Sequence, residues 1–145
     1  MNIKVKIFRY NPEKDKTGQL KEYEVRIEPG MSVLALLHQV HDEQDGSLAY
    51  RYSCRGAICG TCAVRINGTS RLACKTQVKD LLEESDEITI EPLNNLKVVK
   101  DLVVDHHSYF DGLKQTKSWL HREKDMPDEK YYYEDHLQKM QFDQL

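Results

Sequence analysis

No stretch of this sequence approaches the ~18 consecutive apolar residues that a membrane-crossing helix requires. Its opening, Met-Asn-Ile-Lys-Val-Lys-Ile-Phe, alternates apolar with charged residues where a secretory leader would be continuously apolar. The expected location is therefore the cytosol, with a membrane reached only through partner proteins. The chain also lacks an excess of either charge, since 21 Lys and Arg stand against 24 Asp and Glu for a formal net charge of −3. Its cations are scattered among acids, so the clustered basic surface that nucleic acid needs is missing. There is no internal repeat and no low-complexity segment. Hydrophobic residues at 39% and charged residues at 31% suit a soluble chain with a modest core. A length of 145 residues fits one small domain plus an appendage.

What is present is a series of short patterned segments. Ile3-Lys4-Val5-Lys6-Ile7 and Tyr23-Glu24-Val25-Arg26-Ile27 alternate with period two, which predicts two strands with one buried face each. Asn11, Pro12 and Gly18 supply the turn between them. After Pro29-Gly30, Ser32 can cap a helix whose apolar residues Val33, Leu34, Leu36, Leu37 and Val40 recur at helical spacing to about Asp42. Residues 46–62 read as a loop. Asn67-Gly68 between two short runs predicts a hairpin, because both residues tolerate positive φ. Glu87-Ile88-Thr89-Ile90 is a last strand before Pro92. Residues 1–92 thus predict an α+β unit, a small mixed sheet with a helix across it. Beyond it, the Val98–Val104 run followed by Tyr109, Phe110 and Leu113 predicts a packed helix, and residues 129–145 a further, charged one.

Four cysteines carry the chemistry. In a reducing compartment they are metal ligands or catalytic thiols sooner than disulfides. Their spacing is Cys54-x4-Cys59-x2-Cys62-x11-Cys74, and the first three match the plant-type run that holds a [2Fe-2S] cluster. A zinc site more commonly uses two C-x2-C pairs. Gly56 and Gly60 can take positive φ and bring N–H groups toward the sulfurs, while the Asn67-Gly68 hairpin returns Cys74 to the other three. Arg51, Arg55 and Lys75 flank the cysteines, where they either favour the more negative reduced state or are solvated and paired with acids elsewhere. His106 and His107 are adjacent and do not face one way on a helix, so they read as structural. His38 and His41, with no third ligand nearby, read as partly exposed helix residues. Trp119 and Tyr131, Tyr132 and Tyr133 read as packing or interface residues.

The segment Ser53-Cys54-Arg55-Gly56-Ala57-Ile58-Cys59-Gly60-Thr61-Cys62-Ala63-Val64-Arg65-Ile66-Asn67-Gly68, followed by Leu72-Ala73-Cys74, resembles the iron-sulfur subunit of succinate dehydrogenase and fumarate reductase. Ile7-Phe8-Arg9-Tyr10-Asn11-Pro12, Leu48-Ala49-Tyr50-Arg51, Pro92-Leu93, Val98-Val99-Lys100-Asp101-Leu102-Val103-Val104-Asp105 and Trp119-Leu120 extend the likeness over most of the chain. The resemblance implies a β-grasp ferredoxin-like domain over 1–92, with Cys54, Cys59, Cys62 and Cys74 as ligands of a [2Fe-2S] cluster. Some members carry Asp at the third position, but Cys62 stands here. The resemblance further implies a partner subunit bearing FAD, and a helical linker over 93–145 leading toward a helical domain with [4Fe-4S] and [3Fe-4S] clusters. The cysteine motifs of that second domain are not in this sequence. Quinone-site residues and contacts to a membrane anchor would lie in that domain, so none is assigned.

The expected role is electron relay between a flavin subunit and downstream clusters, with the subunit peripheral to the cytoplasmic face of the membrane. No residue here offers a hydride acceptor or a positioned acid and base, so the dicarboxylate chemistry would belong to the flavin subunit. Three rivals remain: a freestanding ferredoxin, disfavoured by the apolar cluster of Val98, Val99, Leu102, Val103 and Val104; the iron-sulfur part of a molybdenum hydroxylase, which needs a second set of four cysteines; and a zinc-stapled module.

Overall fold

The computed structural model describes residues 2–117. The expected helix over 129–145, Trp119 and the three consecutive tyrosines lie outside the described residues. By packing, the chain divides into two units, Met1–Asp111 and Gly112–Leu145.

The first two strands form where the alternation predicts them, β1 over Asn2–Arg9 and β2 over Gln19–Arg26, paired antiparallel. Val5, Ile7, Tyr23 and Val25 point to one face and are buried, while the charged residues between them face water. Helix α1 follows over Val33–Glu43, and the Ser32 hydroxyl accepts the Ala35 N–H as its N-cap. Its buried stripe is the predicted one, Val33, Leu34, Leu36, Leu37 and Val40. Strands β3 (Ala63–Ile66) and β4 (Thr69–Leu72) are joined by Asn67 and Gly68, both left-handed at φ 47° and 79°. The Asn67 side chain also accepts the Thr89 N–H at 2.8 Å, which fixes the hairpin to its neighbour.

Helix α2, Val78–Glu84, has no counterpart in the sequence reading. It buries Val78 and Leu81 one turn apart. Strand β5 (Ile88–Glu91) then enters the middle of a five-stranded sheet of order β2-β1-β5-β3-β4, parallel to β1 and antiparallel to β3. Strand residues Val5, Ile7, Val25, Ile66, Ile88 and Ile90 pack with the stripe of α1 and with Leu81 as one core.

The expected helix over 98–104 is not formed. The segment is a hairpin, β6 (Lys97–Lys100) with β7 (Val103–Asp105), turned at Asp101, whose φ is 47°. Four β-branched valines favour the pleated form. A distant interaction fixes the turn, since buried Asp101 accepts the Arg9 guanidinium and the Tyr10 and Ala49 backbone N–H groups. Leu102 joins the core cluster, and Val104 is buried as well. Helix α3, His107–Thr116, begins only after the hairpin.

Candidate metal centre

Three cysteines lie on the loop between α1 and β3, and Cys74 follows β4 directly. The hairpin does the joining: Ala73 donates to the Cys62 carbonyl at 3.1 Å, and the Cys74 N–H reaches the Cys62 sulfur at 3.5 Å. Helix α1 holds the returning strand, because the Val33 and Leu34 N–H groups have no partners inside the helix and donate to the carbonyls of Thr76 and Ala73. The cap of the helix and the position of Cys74 are thus one set of bonds.

The loop itself is bent by left-handed residues at Arg55 (φ 57°), Ala57 (φ 60°) and Gly60 (φ 72°). For Arg55 and Ala57 that conformation costs on the order of 1–2 kcal/mol each. It turns N–H groups inward, as in an anion-binding nest, and the Gly56 and Cys59 N–H groups both point at the Cys54 sulfur from 3.4 Å. Gly60 uses its freedom as expected. Gly56 does not: its contribution is the N–H, and the positive φ belongs to its neighbours.

The four thiols fall into two pairs. A hydrogen bond from the Thr61 hydroxyl, supported by donors from Cys54 and backbone N–H groups, lowers the Cys59 thiol to about 6. Burial pushes the Cys62 thiol up, and the neighbouring Cys74 thiol adds to the rise. Cys54 and Cys59 are exposed, Cys62 is buried and Cys74 half-buried. Among the described residues, no three Cys, His, Asp or Glu side chains surround one point as a single ion would need. Two pairs of thiols suit a binuclear centre that takes four thiolates. The donor set fits a [2Fe-2S] cluster in number, softness and available N–H groups.

Around the loop, Ile58 stands 88% exposed. Among the described residues none of Arg51, Arg55 and Lys75 is ion-paired with a carboxylate; Arg55 lies over the Tyr52 ring at 5.2 Å and Arg51 approaches His106 at 3.5 Å. His107 is turned to Asp105, which accepts its backbone N–H, and His41, a partly exposed helix residue, is turned to Asp42. His38 bonds to Tyr50. Two contributors escaped the sequence reading. Thr61 shows as a donor only once the loop is folded. Arg9 joins Asp101, Asp45, Tyr23 and Ser47, and with Asp101 it braces the run that leads into the cysteine loop.

Thr61 supports a prediction with two readouts. In the metal-free protein, alkylation of Cys59 should rise with pH around a midpoint near 6 in the native sequence. Thr61→Ala should move that midpoint upward, because the thiolate loses its strongest donor. In the loaded protein, losing a hydrogen bond worth about 1 kcal/mol should lower the reduction potential by about 40 mV, at 59 mV per tenfold for one electron. Unchanged values in both experiments would remove Thr61 from the site.

A mixed five-stranded sheet packed on one long helix, with four thiols gathered on a loop and a hairpin end, defines a ferredoxin-type β-grasp protein. The chain belongs to the family described as 2Fe-2S iron-sulfur cluster binding domain, whose profile matches residues 4–111. It is 39% identical over 118 residues to the fumarate reductase iron-sulfur subunit of Haemophilus influenzae, covering 81% of this chain and 45% of that protein. It is 34% identical over 125 residues to the corresponding subunit of Wolinella succinogenes, covering 85% and 52%. Against the mitochondrial succinate dehydrogenase (ubiquinone) iron-sulfur subunit 1 of Oryza sativa subsp. japonica it is 42% identical over 123 residues, covering 83% and 42%. The chain therefore spans about half the length of the curated relatives it matches. Among solved structures it is similar to a chain of the Mycobacterium smegmatis Sdh1 complex in the apo form, with a TM-score of 0.75 and 28% identity over 97% of this chain and 57% of that one.

Proposed function

We propose that Cys54, Cys59, Cys62 and Cys74 hold a [2Fe-2S] cluster and that the chain is the electron-relaying part of the iron-sulfur subunit of a succinate:quinone or quinol:fumarate oxidoreductase. The observation that carries the reading is the pairing of four thiols by one bent loop and one hairpin. The relatives named for fumarate reductase and succinate dehydrogenase support the subunit assignment. When bound, the cluster supplies one-electron transfer without proton or group chemistry of its own.

The residues around it then have separate tasks. Gly56, Cys59 and Cys74 N–H groups and the Thr61 hydroxyl stabilise charge on sulfur. Exposed Cys54 and Cys59 form the outer edge, which an FAD-bearing subunit would approach, and buried Cys62 faces the protein interior. Residues 93–145 are proposed to lead toward a domain carrying [4Fe-4S] and [3Fe-4S] clusters and the contacts to a quinone-binding membrane anchor. Among the described residues no helix is long and apolar enough to cross a membrane, so association at the cytoplasmic face would run through those partners.

A freestanding ferredoxin is the alternative. Of the apolar run that speaks against it, Leu102 and Val104 are buried, while Val99 stays 45% exposed for a partner to cover. The test is electron paramagnetic resonance before and after dithionite on anaerobically reconstituted protein, with iron and sulfide counted on the same sample. The expected result is a rhombic signal on reduction only, with about two irons and two sulfides per chain. Zinc in a silent sample would overturn the cluster reading. Co-purification of a flavoprotein with the chain, expected here, separates the subunit from the diffusible carrier.

A further inference from the structure

Behind the cysteine loop lies a cleft of about 470 Å³, lined by His38, His41, Asp42, Tyr50, Tyr52 and Arg55 among others. His38 sits on α1 with Nδ1 2.7 Å from the Tyr50 hydroxyl. Its ring stands edge-on to those of Tyr50 and Tyr52, with centroids 5.4 and 4.6 Å away. Its Nε2 is buried and has no hydrogen-bond partner. The Tyr52 ring also receives the Arg55 guanidinium at 5.2 Å, and Arg55 is bonded in sequence to Cys54. A short line of ring and cation contacts therefore joins an imidazole to the residue beside a proposed ligand. None of the tasks derived above uses that imidazole.

We infer that His38 takes up a proton from solvent when the neighbouring centre is reduced, so that this relay carries one proton with its electron. The inference rests on the proposed function. One electron enters from a reduced flavin, or from dithionite in the test. One proton moves from water to the imidazole, turning neutral His38 into imidazolium. Both leave on reoxidation, and no bond other than N–H is made or broken.

The groups facing His38 set the sign. Burial first, and then the charge of Arg55 with a contribution from His41, hold His38 below its ordinary value, while Asp42 opposes them; the rings of Tyr50 and Tyr52 also face it. His38 is accordingly neutral at pH 7 before reduction. An added electron counters the field of Arg55 and raises the affinity of His38 for a proton. Tyr52 and Cys54 are two residues apart, so the ring stands on the order of 12 Å from the loop sulfurs. At an effective dielectric constant of about 20, a unit charge at about that distance changes proton affinity about tenfold. Proton uptake is confined to the window between the oxidised-state and reduced-state values. The potential falls with rising pH across that window and is level on either side.

The experiment measures the reduction potential of the reconstituted full chain from about pH 5 to about pH 9, the range in which imidazole titrates. The native protein should fall by about 59 mV in total, the conversion of a tenfold change for one electron. His38→Gln, with iron content and absorption spectrum unchanged, should be level. Proton resonances of the His38 ring in native protein should titrate higher in the reduced than in the oxidised state. A level native profile, an equal fall in His38→Gln, or the same ring titration in both states overturns the inference. Failure of the native chain to assemble any cluster overturns the proposed function itself, and this inference with it.

Discussion

Cys59→Ser should abolish or strongly perturb the visible spectrum and the paramagnetic signal of the reconstituted protein, whereas His107→Ala should leave both intact. The serine oxygen is a harder donor than thiolate and far less acidic, so it is a poor substitute for the sulfur at iron. Cys59 is also the thiol that the fold prepares most, since the Thr61 hydroxyl and the loop N–H groups draw it down to about 6, largely ionised at neutral pH. With the thiols in two pairs, its loss would leave Cys54 alone in its pair at the proposed centre. The expected penalty exceeds the roughly 10–100-fold in metal affinity that outer-shell losses cost. His107 is a suitable control because its exposed ring is engaged with Asp105 and stands apart from the thiols in sequence and in contacts. Iron and sulfide analysis, together with the absorption spectrum, decides the matter. A native-like spectrum in Cys59→Ser, or a lost one in His107→Ala, would overturn the ligand assignment.

Much of this architecture was legible because local pattern and tertiary role coincide. Alternation in β1 and β2, the Ser32 cap with the stripe of α1, and the Asn67-Gly68 turn each encode in a few adjacent residues what the folded chain then uses. The cysteine spacing was legible for the same reason: thiols at x4 and x2 lie on one loop whatever surrounds it. The 98–104 segment was misread because its apolar residues satisfy either period, and the deciding contact is 92 residues away at Arg9. Helix α2 is only two turns long and has no side-chain cap, so its start carries no signal. The role given to Gly56 failed on the assumption that glycine takes the left-handed position, when Arg55 and Ala57 hold it. Thr61 is only two residues from Cys59, but its hydroxyl is aimed at that sulfur by the bend of the loop, and His38 meets Tyr50 and Tyr52 only by folding, which no one-dimensional spacing records.

The same Arg9 contact makes Asp101→Ala a strongly destabilising substitution. Asp101 is 1% exposed and its carboxylate accepts three hydrogen bonds, from the Arg9 Nε, the Tyr10 N–H and the Ala49 N–H, while its own N–H donates to the Tyr10 carbonyl. Truncation leaves Arg9, only 14% exposed in its side chain, short of a counter-charge, and it places a Cβ-bearing residue without a polar side chain at φ 47°. Removing one partner of a buried pair costs about 3–5 kcal/mol, and the lower end applies here because Asp45, Tyr23 and Ser47 still hold the guanidinium. Asp101→Asn, which keeps an acceptor oxygen and tolerates the left-handed turn, should lose roughly half as much. The neighbouring Asp45 gives the accompanying pH dependence. Burial alone would raise its carboxyl, but hydrogen bonds from Ser47, Lys21, Tyr23 and Arg9 outweigh that and hold it well below the usual carboxylate range. Its stabilising contribution is therefore complete above the ordinary value of 3.8 and is lost progressively as pH falls below it. Urea unfolding at neutral pH and at about pH 3 checks both statements. Asp101→Ala should lower the midpoint at neutral pH by more than any surface substitution, and native protein should lose stability toward pH 3 while Asp45→Asn loses less. Should Asp101→Ala unfold at the native midpoint, the brace between the hairpin and the run entering the cysteine loop would carry no stability.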